Sequence, residues 1–216
     1  MAVNLITLTD PQSPVAEAYR TLRTNLEFAG LDEPVHMVLF TAPGAEDTAT
    51  AVANLAVTIA QTGRNVVVVD ANLRHPRVHE LFSLDNRQGL TDMVLAEDPF
   101  ANPPLQPTEV PGLSILASGP LPPNPADVLD SKRMDMIWAG LRERFDMVLV
   151  NAPPVLAVAD AAILAPHMDG VVLVLRAGHT KREHAQRARE RLERVRARLL
   201  GAVLLDAPYD KAVEAY

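Results

Sequence analysis

The sequence contains no cysteine, and that absence removes disulfides, thiolate metal sites and cysteine nucleophiles together. Lysine is missing from the first part of the chain, where none occurs before Lys132. An excess of positive charge is lacking too. The net charge of −7 argues against general nucleic-acid binding, because counterion release needs clustered Lys and Arg facing phosphate. No apolar run approaches the roughly 18–20 residues that span a bilayer. The opening MAVNLITLTD lacks the basic and hydrophobic regions of a signal peptide, so a cytoplasmic protein is expected, with any membrane role supplied by a partner. A histidine cluster is missing as well: His75 and His79 stand four apart and could share a helical face, but they read as surface or partly packed side chains, and no metal site is expected.

What is present suits one globular domain over 1–216: 48% hydrophobic and 22% charged residues are ordinary proportions for a folded chain. An irregular arm (1–12) leads to Ser13-Pro14, an N-cap followed by proline at the first helical position. Val15, Tyr19, Leu22 and Leu26 then mark an apolar helix face, Glu17, Arg20 and Arg23 a charged one, and Gly30 closes the helix. Apolar runs at 35–42, 65–71, 145–152 and 170–177 read as parallel strands buried on both faces, with a last strand at 202–207. Helical stretches separate them, including an alanine-rich one ending at Gly63. Another follows Thr180, which forms a capping-box pattern with Glu183; its interleaved arginines and glutamates read as a solvated, salt-bridged face. The proline-rich stretch 99–125 reads as a surface excursion holding one strand (112–118), and 208–216 as a short tail. The alternation predicts an α/β fold, a doubly wound and mostly parallel sheet flanked by helices.

In such a sheet ligands sit beyond the carboxyl ends of the strands. The loop TAPGAEDTATAVANLA (41–56) stands between a strand and a helix N-terminus, where amides suit an anion. A phosphate-binding loop of the form G-x-x-x-x-G-K-S/T also needs a second glycine, a lysine and a hydroxyl. Here Gly44 is present, lysine is not, and Glu46 and Asp47 add carboxylates. Two unit charges about 6 Å apart interact by roughly 3 kcal/mol at an effective dielectric near 20, enough to weaken a polyphosphate strongly. Asp70 ends the second strand, but Asn72 follows two residues on, and Asn151 ends the 145–152 strand; amides are poor ligands for a hard divalent ion.

The segments EAYRTLRTNLEFA (17–29), VVVVDANLRHPRVHELF (66–82), GLTDMV (89–94), GLSILASGPLPPNPADVLDSKRM (112–134) and FDMVLVNAPPVLAVADAAILAPHMDGVVLVLRAGHT (145–180) together resemble the bacterial tyrosine kinase (BY-kinase) family of the CpsD/CapB and Wzc type. The resemblance implies a deviant P-loop fold related to MinD and ParA ATPases, three phosphate and magnesium motifs, autophosphorylation of a tyrosine-rich tail, and control of polysaccharide chain length through a membrane adaptor. Placed on the family's motifs, Gly44 to Thr50 occupies the first, with the lysine position near Thr48 and the hydroxyl position at Ala49 or Thr50. Asp70 matches the first carboxylate of the second motif and Asn72 departs from the next. Asn151 and Ala152 depart from the Asp-Thr that precedes the paired prolines. Glu17, Arg20 and Arg23 match the E-x-x-R-x-x-R pattern that joins protomers of the family into a ring. Only Tyr209 and Tyr216 lie near the C-terminus as phospho-acceptors.

Departures on all three motifs within a recognisable scaffold lead to the expectation of a pseudokinase: a binding or assembly module in capsule or exopolysaccharide biosynthesis, recruited to the inner membrane face by a polysaccharide co-polymerase adaptor, in a homo- or hetero-oligomer, beside an active paralogue. No cofactor is expected. Two alternatives stand beside this reading. One is an active protein-tyrosine kinase or ATPase that uses ATP and Mg2+, with arginines such as Arg74 or Arg176 in place of the lysine; the other is a MinD-like positioning factor.

Overall fold

The computed structural model describes residues 5–31 and 33–208. Among these residues seven strands form one sheet: β1 (Met37–Thr41), β2 (Val66–Asp70), β3 (Leu105–Pro107), β4 (Leu113–Leu116), β5 (Met147–Asn151), β6 (Gly170–Arg176) and β7 (Leu199–Leu205). Their order is β3-β4-β2-β5-β1-β6-β7, with every pairing parallel except β3 against β4. Helices α1 (Ile6–Thr9), α2 (Pro14–Ala29), α3 (Thr48–Ala60) and α4 (Val78–Leu81) are followed in the chain by α5 (Leu90–Leu95), α6 (Pro125–Leu129), α7 (Lys132–Arg144), α8 (Asp160–Leu164) and α9 (Arg182–Arg194).

The continuous apolar runs of the central strands reflect burial on both faces. Val38, Phe40, Val66 and Val68 turn to a core filled by α2 and α3, while Met37, Leu39, Val67 and Val69 turn to a second core filled by α7, α8 and α9. Strand alternation sends neighbouring residues to opposite faces, so each strand needs apolar side chains throughout. Helix α3 is buried along nearly its whole length, which explains why it carries no charged side chain.

Several local expectations need correction. The 1–12 arm is not irregular throughout: residues 6–9 form a helical turn, Leu5 is fully buried, and Asn54 Oδ1 accepts from the Thr7 backbone N–H at 3.1 Å and from its hydroxyl at 2.9 Å. Four residues are too few to show a helical period. Val15 lies 54% exposed, and Ala16 is buried beside Tyr19 and Leu26 instead. His75 precedes α4, so it shares no helix with His79. The 99–125 excursion contributes two strands to the sheet, β3 as well as the expected β4. Thr180 does not cap α9. Lys181 holds that position, the helix runs 13 residues, and the last strand starts earlier than expected, at Leu199.

Glycine matters structurally at two approaches. A Cβ on Gly89 would stand 2.1 Å from the Ala117 carbonyl oxygen, and Gly119 has φ of +77° with Thr91 and Asp92 against it. These contacts lock the return of the proline-rich segment onto the start of α5.

Candidate functional site

Because β1 sits between β5 and β6, and β2 sits beyond β5, the carboxyl ends of β1, β2 and β5 bring three loops together. Asp70 and Asn151 are register partners at the ends of β2 and β5. Asn151 Nδ2 donates to Asp70 Oδ1 at 2.9 Å, and the Asn72 N–H reaches the same oxygen at 3.2 Å. Asp70 Oδ2 accepts the backbone N–H groups of Arg77 and Val78, both at 2.9 Å. Each carboxylate oxygen therefore takes two N–H donors, the full capacity of its lone pairs in the plane. Asp70 is fully buried. Burial pushes its carboxyl above the ordinary range, while the donors from Val78, Asn151, Arg77 and Asn72 oppose the rise. Asn151 Oδ1 is buried with no hydrogen-bond partner.

The loop after β1 is organised by its own acids. Glu46 Oε2 accepts the Gly44 N–H at 2.7 Å, and Oε1 accepts the Thr180 hydroxyl at 2.5 Å. Asp47 is the N-cap of α3: its carboxylate accepts the Thr50 N–H at 3.1 Å and the Thr50 hydroxyl at 2.7 Å. Thr48 and Ala49, the residues nearest the expected lysine and hydroxyl positions, are buried in the first turn of α3. Arg77 spans the two motifs, with its backbone on Asp70 and its guanidinium 3.7 Å from Asp47.

The arginines considered as lysine substitutes are both engaged. Arg74 makes a two-point contact with the buried Asp160, at 2.8 and 2.9 Å. Arg176 Nε lies 2.5 Å from Asp206. Glu17 pairs with Arg20 at 2.7 Å on α2, and Arg23 reaches the Thr58 carbonyl at 3.1 Å, so that trio lies on a helix flank and is not drawn into the loop cluster. Tyr209 and Tyr216 lie outside the described residues. Among the described residues no group of three or more His, Asp or Glu is arranged to hold a metal.

A cleft of about 900 Å3 opens beside the loop, bounded by Ile6, Val15, Tyr19, Asp47, Thr50 and Leu204 among others. Tyr19 is pushed up to about 12, first by burial and then by the charges of Asp47 and Asp206. Thr180 and Arg77 were not legible as site residues. Thr180 meets the loop only through the fold, and Arg77 has no spacing signal of its own.

The sequence is 44% identical over 206 residues, 94% of this chain and 86% of the relative, to the tyrosine-protein kinase YwqD of Bacillus subtilis. The chain belongs to the bacterial tyrosine kinase family. A putative tyrosine-protein kinase CapB of Staphylococcus aureus is 30% identical over 207 residues, covering 95% of this chain and 90% of the relative. Among solved structures, the kinase domain of the Escherichia coli tyrosine kinase ETK matches with a TM-score of 0.88 at 28% identity, covering 97% of this chain and 85% of that one. The cell division ATPase MinD of Pyrococcus furiosus matches at 0.64 and 20% identity, covering 78% of this chain and 71% of that one; that likeness shows the P-loop ATPase fold alone. No family model matches the sequence. No helix among the described residues is long and apolar enough to cross a membrane.

Proposed function

We propose that this member of the bacterial tyrosine kinase family is catalytically degenerate and serves as a binding or assembly module in capsule or exopolysaccharide biosynthesis. In this reading a membrane adaptor of the polysaccharide co-polymerase type recruits it from the cytoplasm, and an active paralogue supplies any tyrosine phosphorylation. The observation that carries the reading is the closed pairing of Asp70 with Asn151. A magnesium ion demands several hard, anionic oxygens, yet Asp70 has all its acceptor capacity filled by N–H groups and its strand partner is an amide. The residues present therefore do not fit Mg-ATP. Arg74 and Arg176 are held by carboxylates, and Thr48, nearest the position a lysine would take, carries no charge.

The identity of 44% to a relative named as a tyrosine kinase favours one competing reading, an active kinase with a rebuilt site. The two separate in a radiolabel-transfer assay with the cytoplasmic segment of the cognate adaptor present. The degenerate reading expects no transfer from ATP. Label that appears on the wild type and vanishes in Asp70→Ala would establish the kinase instead. The MinD likeness carries fold and no more, so nothing here favours a positioning factor.

A further inference from the structure

A carboxylate and a phosphate compete for the same donors, because each is an oxygen anion that accepts N–H and O–H groups. The loop between β1 and α3 carries two such carboxylates within its own sequence. Glu46 takes the Gly44 amide and the Thr180 hydroxyl, and Asp47 takes the Thr50 amide and hydroxyl. We infer that Glu46 and Asp47 are internal substitutes for a polyphosphate, holding the loop in an anion-loaded arrangement and excluding external polyphosphates by occupation. The inference rests on the reading above, that this chain does not use nucleotide, and adds the residues that enforce it.

Three further features support occupation over collapse. Among the described residues a cleft of about 900 Å3 is open beside Asp47 and Thr50, so lack of room does not account for exclusion there. Thr180 accepts the Arg176 N–H at 2.8 Å while it donates to Glu46, which ties the loop to the turn after β6 through one hydroxyl. Arg77 stands 3.7 Å from Asp47, so a nearby guanidinium already faces an anion from the chain itself.

Removing one unit charge about 6 Å from a bound anion changes affinity by roughly a hundredfold at an effective dielectric near 20. Inorganic tripolyphosphate, without metal, is the probe, titrated by calorimetry into the full chain as wild type, Glu46→Ala and Glu46→Ala/Asp47→Ser. Serine keeps an N-cap acceptor without the charge. Circular dichroism melts establish that each variant is folded. The expected result is no saturable heat with the wild type, saturable binding tightened at least tenfold in Glu46→Ala, and a further gain in the double variant. Should the double variant fail to fold, Glu46→Ala, which leaves the cap of α3 intact, gives the answer alone. Folded variants as silent as the wild type would overturn the inference while leaving the nucleotide-free reading standing. Saturable binding of tripolyphosphate by the wild type would show the loop unoccupied and overturn the inference directly.

Discussion

Two aspartates at opposite ends of the same sheet solve different problems. Asp169, at the amino end, accepts the N–H groups of His36 and Met37, both at 2.8 Å, and a two-point contact from Arg142 at 3.0 and 2.8 Å. Burial alone would raise its carboxyl, but Arg142 and the two amides outweigh burial and hold it below the ordinary range. Asp70, at the carboxyl end, has as many N–H donors, no guanidinium and full burial, and stands above the ordinary range. A carboxylate that only joins strands is given a cation. The one at the carboxyl end has an amide, Asn151, as its strand partner. The difference between the two ends is one of counter-charge: a guanidinium at Asp169 and an amide at Asp70.

The largest expected effect comes from Asn151→Asp. It sets a second carboxylate against Asp70, and two buried acids in contact cannot both ionise. The folded state then holds a proton with a raised pKa, so stability is full in acid and falls as pH rises. A loss of about 3–5 kcal/mol is expected near pH 8, recovered toward about pH 4, and read by urea unfolding across pH. A variant with no pH-dependent loss breaks the comparison.

Asp70→Asn comes next. The new side chain has one acceptor oxygen in place of two, so whichever way the amide turns its NH2 group faces two of the four N–H donors, at a cost of about 2–4 kcal/mol. Arg142→Met at the other end costs about 1–2 kcal/mol. Asp169 has a depressed pKa, so its contribution is present above the unfolded value and is lost as pH falls through the folded one; Arg142→Met flattens that acid limb in unfolding curves.

Tyr19→Phe is the smallest at neutral pH, within about 0.5 kcal/mol. Its signature lies in alkali. The raised Tyr19 pKa means that wild-type stability is intact below about 10 and falls as pH rises from there toward about 12. The variant lacks that decline, which a pH series of thermal melts detects.

Much of this contrast was legible in the sequence. Consecutive valines at 66–69 announce a strand buried on both faces, and the loop without lysine announces a poor phosphate site. The charges of Glu46 and Asp47 were visible too, but only the fold shows that they bond to Gly44, Thr180 and Thr50. Thr180 stands 134 residues from Glu46, beyond any local pattern, and its match to a capping box concealed the long-range bond. The helical turn of residues 6–9 escaped because its stability comes from Asn54 and core burial, not from propensity. Val15 followed the expected period yet lines the cleft, where no element among the described residues covers it.

Calorimetric titration of Mg-ATP into the wild-type chain tests the central claim most directly. Because Asp70 is filled by N–H donors and the loop by its own carboxylates, the account predicts no saturable heat up to millimolar nucleotide. Saturable one-to-one binding at micromolar strength would contradict it.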